Sequence, residues 1–147
     1  MNWIEESRKL FNTPKPEHFT DFGHCEECLD HDLTLVNSDV DSIGFDELGN
    51  PGWDPICYVE AEGFIYYFPA FVRLCLNSNP DQSYISQFLF HLSYDGKNNR
   101  YTLAFSAEQQ NFTLKFLNHL AETKIDIITL YGDEEMLFST IEIWASV

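Results

Sequence analysis

Between residues 18 and 31 the chain reads His18-Phe19-Thr20-Asp21-Phe22-Gly23-His24-Cys25-Glu26-Glu27-Cys28-Leu29-Asp30-His31. Two cysteines separated by two residues let thiolates from one turn converge on one ion, while amides of that turn stabilise the sulfur charge. His31 follows Cys28 by three residues, and on a helix the two face the same side. Cys25, Cys28 and His31 are thus the first three expected ligands of one structural zinc ion, whose softness suits thiolate and imidazole. The fourth is His18 or His24. His24 adjoins Cys25, and on one regular helix His24 and His31 would lie ~10 Å apart. His18 has a loop in which to fold back, so it is favoured as the fourth ligand, with His24 the alternative. A water or Asp32 in the fourth position would leave the ion open for catalysis.

The same Cys-Glu-Glu-Cys pair could be a redox dithiol. The surrounding acids argue against it, because they raise thiol pKa values and oppose thiolate formation without a metal. Cys57 and Cys75 are isolated and read as core thiols. His91 and His119 read as structural or surface residues. The chain has no Gly-rich phosphate loop, nucleophile elbow or His-Glu-x-x-His.

The 147 residues carry 8 Lys+Arg against 24 Asp+Glu, a formal net charge of −16. Residues 1–62 hold fifteen acids and three bases, and so contribute −12 of that charge. Such a chain is ill suited to nucleic acid, whose affinity comes largely from Lys and Arg displacing counterions. An anionic membrane surface is disfavoured for the same reason. The acidic face suits solubility or a basic protein partner. The N-terminus lacks a basic region followed by an apolar stretch, and no apolar run approaches the ~20 residues that span a bilayer. The expectation is a cytoplasmic protein whose free cysteines serve as ligands or core thiols.

The length suits a single domain over 1–147, with a metal-binding segment at about 18–32. Asn2 is placed to cap a helix over about Trp3–Phe11, with Glu5 three residues on. Thr13-Pro14-Lys15-Pro16 then forces an extended lead-in. A short helix or turn is expected around Glu26–Leu35, and residues 37–55 read as a long loop pinned by Phe45 and Trp53. Ile56-Cys57-Tyr58-Val59 and Phe64-Ile65-Tyr66-Tyr67-Phe68 are β-branched and aromatic, so they predict a hairpin turning at Glu60-Ala61-Glu62-Gly63. Pro69 suits the first turn of a helix over about Ala70–Leu76. Asp81 is placed to cap a helix carrying Ile85, Phe88, Leu89 and Leu92. Tyr101–Phe105 predicts a strand. Ser106 and Gln109 form a capping box for a helix to about Thr123, Ile125–Tyr131 fits strand or helix, and a terminal helix runs through Trp144. The expected class is α+β: a mostly helical domain around a small antiparallel hairpin, with an N-terminal zinc-knuckle-like segment.

Four blocks together resemble a family of small uncharacterised bacterial proteins. They are Pro16-Glu17-His18-Phe19-Thr20, His24 through Asp32, Gly52-Trp53-Asp54-Pro55, and Gly63-Phe64-Ile65-Tyr66-Tyr67-Phe68-Pro69-Ala70. Phe105-Ser106-Ala107-Glu108-Gln109 is also similar. The resemblance implies a bacterial, intracellular, single-domain protein and marks His18 and His24 alike as motif positions.

Three functions follow as expectations. The first is a non-catalytic interaction protein of immunity or inhibitor type, whose zinc fixes the N-terminal segment and whose acidic face meets a basic partner. The second is a zinc-dependent hydrolase with Glu26 or Glu27 as general base. The third is a small-ligand sensor lined by Tyr58, Phe64, Tyr66, Tyr67, Phe68 and Phe71 of the aromatic hairpin.

Overall fold

A computed structural model describes residues 1–147 and is all-helical. The helices are α1 Trp3–Leu10, α2 Glu26–Val36, α3 Phe45–Leu48, α4 Ala61–Leu76, α5 Ile85–Ser93, α6 Arg100–Ala104, α7 Ala107–Thr123, α8 Ile125–Leu130 and α9 Glu134–Ala145. Short 3-10 turns cover Pro51–Trp53, Pro55–Tyr58 and Gly96–Asn98. There is no sheet; the sole β-bridge pairs Asn79 with Gln82. The expected α+β class, with its hairpin and its strand at Tyr101–Phe105, is therefore corrected to all-α.

The correction has identifiable physical causes. Ile56–Val59 is not a strand because Pro55 opens a 3-10 turn and Asp54 caps it, accepting from the Ile56 amide at 2.9 Å. Phe64–Phe68 lies inside the 16-residue α4. Phe64, Tyr67, Phe68, Ala70, Phe71 and Val72 are all fully buried, so this helix is apolar on every side. Periodicity cannot separate such a helix from a buried strand, and here length decides. Pro69 sits within α4 rather than opening it. The presumed hairpin turn is the start of α4, where the Glu60 carbonyl accepts from the Phe64 amide at 3.0 Å. Gly63 permits close approach: a Cβ there would lie 2.7 Å from both Phe19 Cδ1 and Val59 Cγ2. Residues 100–104 become helical because Asn99 caps them, accepting from the Tyr101 amide at 3.0 Å. Ile125–Leu130 takes its helical alternative.

Locally encoded elements match expectation. Asn2 caps α1 through the Glu5 amide at 3.1 Å. Ser106 and Gln109 satisfy one another's amides at 3.2 and 2.9 Å at the start of α7. Asp81 does not cap α5; Tyr84 occupies that position without a side-chain cap. The loop over 37–55 is interrupted by α3 and a 3-10 turn.

The chain forms two compact units, residues 1–74 and 75–147. In the first, Phe11 stacks on Phe68 at 4.2 Å between centroids, and Phe19 packs against Tyr67 at 5.2 Å. The buried Tyr67 hydroxyl donates to the Leu35 carbonyl at 2.5 Å, tying α4 to α2. Tyr67→Phe is therefore expected to cost about 1 kcal/mol. It should appear as a lower urea midpoint at unchanged slope. In the second unit α5, α7 and α9 enclose Phe88, Leu92, Phe116 and Trp144, and the Trp144 indole donates to the Leu92 carbonyl at 2.9 Å. No helix is long and apolar enough to cross a membrane.

Candidate metal centre

The site is built by fastening the proline-rich lead-in along α2. Lys15 donates to the Val36 and Ser38 carbonyls at 2.8 and 2.6 Å, placing its charge at the negative end of that helix. Buried Asp32 accepts from the amides of Phe19 and Thr20 at 2.6 and 3.1 Å and pairs with His18 Nδ1 at 2.8 Å. Thr20 adds a bond from its hydroxyl to the Cys28 carbonyl at 2.7 Å. These contacts deliver the chain to a turn, closed by the His24 amide donating to the Asp21 carbonyl at 3.0 Å, just before α2.

Cys25 is the N-cap of α2. Its backbone is extended, and its sulfur accepts from the Cys28 amide at 3.3 Å. The two sulfurs lie 3.2 Å apart, and Cys28 Sγ is 3.7 Å from His24 Nδ1. Ligand atoms of His24, Cys25 and Cys28 all fall within 4.8 Å of one another, so the group fits a metal ion. Tetrahedral zinc with bonds of about 2.3 Å to sulfur has a sulfur–sulfur edge of about 3.8 Å. The nitrogen–sulfur edge is already close to that scale, and the sulfurs need to part by only about 0.5 Å.

The five expected ligands divide. His24, Cys25 and Cys28 come together. His18 is engaged by Asp32 and stacks on Phe22 at 4.1 Å. His31 is buried on α2, its ring 4.5 Å from Trp53 and 5.1 Å from Tyr58. Neither of its nitrogens has a hydrogen-bond partner, and Nε2 lies 3.8 Å from a Glu27 carboxylate oxygen. The structure thus does not bring His18 or His31 to the His24 group. Trp53, expected with Phe45 to pin the loop to the core, is instead half-exposed against the His31 ring, whereas Val40, Ile43 and Leu48 of that loop are buried. The aromatic partners of His31 carried no local signal.

The electrostatics separate the two thiols. Cys25 is lowered to about 7, first by the Cys28 amide, then by the Cys28 thiol and His24. The expectation that acids raise both thiols therefore fails at Cys25, where the hydrogen bonds of the cap lower the thiol against the effect of burial. It holds at Cys28, which is raised by its hydrogen bond to Cys25, by burial, and by the charges of Cys25, Asp21 and Glu27. His24 is raised, chiefly by the Cys25 sulfur and also by Asp21.

No family model, curated protein or solved structure matches this chain. The chemistry of the site therefore rests on its own residues.

The other readings are also placed by the geometry. The Glu27 carboxylate beside Tyr58 pushes that hydroxyl up to about 12. Of the aromatic residues expected to line a hairpin pocket, Phe64 to Phe71 lie in α4, with Tyr66 and Tyr67 buried edge-on at 4.8 Å, while Tyr58 ends the preceding 3-10 turn. Cys75 is a buried core thiol, whereas Cys57 is exposed.

Proposed function

We propose that this chain is a non-catalytic zinc protein whose ion, held by His24, Cys25 and Cys28, fixes an acidic surface for a basic protein partner. The convergence of those three ligand atoms within 4.8 Å carries the reading. Two thiolates and an imidazole select a soft divalent ion, and zinc adds no redox chemistry or geometric preference of its own. The ion joins the turn at residues 21–25 to the first turn of α2, next to the Asp32 fastening. The net −12 of residues 1–62 then supplies long-range attraction to a basic surface. A reducing cytoplasm suits the four free cysteines.

Three protein ligands also leave a fourth position, as in zinc hydrolases. The staple reading is favoured because His24 and Cys25 are exposed, so the ion would sit on an open turn rather than in a water-excluding cavity. Glu27 is moreover turned toward Tyr58 and His31.

Elemental analysis of protein purified without chelator is expected to find one zinc per chain. Absence of stoichiometric metal would defeat the proposal. Capture of a basic partner should weaken steeply as salt shortens the Debye length from about 10 Å at 0.1 M to 3 Å at 1 M. Affinity indifferent to salt would remove the electrostatic half.

A further inference from the structure

We infer that Cys25 and Cys28 form a metal-gated dithiol that reacts with low-molecular-weight disulfides, closing to an intramolecular disulfide and releasing the ion. The gating rests on the zinc reading above; the dithiol exchange does not.

Geometry carries this inference. The sulfurs are 3.2 Å apart, held by the Cys28 amide bond to Cys25 Sγ and by the helical turn between them. A disulfide needs about 2.0 Å, so the two sulfurs have only about 1.2 Å left to close. Access is asymmetric: Cys25 is exposed at the cap and Cys28 is buried one turn behind it. An incoming disulfide therefore meets Cys25 first, and the resolving thiol is already in contact.

The exchange has two steps. Cys25 Sγ, as thiolate, attacks one sulfur of the low-molecular-weight disulfide; that S–S bond breaks, and the first thiolate leaves with its electron pair. Cys28 loses its proton to solvent and attacks Cys25 Sγ, displacing the second thiolate. Two electrons pass from the protein pair to the oxidant, which is reduced to two thiols. A coordinated ion occupies both sulfur lone pairs and slows the first attack. Once joined to each other, the sulfurs no longer carry the thiolate charge that holds the ion.

Glutathione disulfide is the probe. Glu26 and Glu27 lie between the two cysteines, so a glutamyl protease separates their peptides unless a disulfide links them. Metal-free wild-type protein should yield the linked pair, with no lasting mixed disulfide. Cys28→Ser should instead accumulate the glutathione mixed disulfide at Cys25. If wild-type protein keeps that mixed disulfide, or keeps both thiols free, the dithiol exchange is overturned. Preloading with zinc should slow linkage at least roughly tenfold. An unchanged rate in protein that elemental analysis shows to carry zinc would defeat the gating alone, whereas absence of bound zinc would defeat the zinc reading; either leaves the exchange standing.

Discussion

Cys28→Ser is expected to weaken zinc binding by more than about 100-fold, beyond the 10–100-fold typical of losing a group that merely supports a ligand. Cys28 holds the central position, with its sulfur 3.2 Å from Cys25 Sγ and 3.7 Å from His24 Nδ1. Serine preserves the size of the side chain but replaces a soft thiolate by a hydroxyl that stays protonated at neutral pH. Competition against a chromophoric chelator would measure the loss. Histidine variants sharpen the test. His24→Ala should lose affinity strongly, whereas His18→Ala should retain the ion, because His18 is engaged by Asp32. Retention by His24→Ala with loss in His18→Ala would reverse the assignment. Zinc should also raise the melting temperature of the wild-type protein by mass action, and should not do so for Cys28→Ser.

Asp32→Ala is expected to destabilise the fold by about 2–4 kcal/mol, since two buried amides lose their acceptor. Those amides belong to Phe19 and Thr20, and Phe19 is itself a core residue. Asp32→Asn should cost less, because one amide oxygen can still accept. Burial pushes Asp32 upward, but the bonds from His18, Phe19 and Thr20 outweigh it and hold the carboxyl below its ordinary value. A carboxyl depressed by folding contributes stability that is fully present above its unfolded pKa of about 4. That contribution is lost as pH falls through the folded value. Urea melts between about pH 5 and pH 2 should show this acid-side loss in the wild-type protein and a flatter profile in Asp32→Asn. Equal slopes in both would remove Asp32 from this role.

What was legible in the sequence follows the range of the interaction. Caps are local, so Asn2 and the Ser106–Gln109 box mark α1 and α7 correctly. The Cys25–Cys28 spacing and the neighbouring His24 are equally local, and the structure gathers them. The direction of His31 is set by Trp53 and Tyr58, which reach it from a distant part of the chain. No spacing rule could assign those contacts. The pairing of His18 with Asp32 is hidden for the same reason. The fold class failed at α4, where aromatic residues with β propensity are buried on every face. Tertiary burial overrides propensity there, and a helix apolar all round offers no periodicity to read.

X-ray absorption at the zinc edge of the loaded protein tests the central claim most directly. The expected spectrum contains two sulfurs at about 2.3 Å and nitrogen or oxygen ligands at about 2.0–2.1 Å, with an imidazole signature. A shell of nitrogen and oxygen alone would contradict a centre built on Cys25 and Cys28.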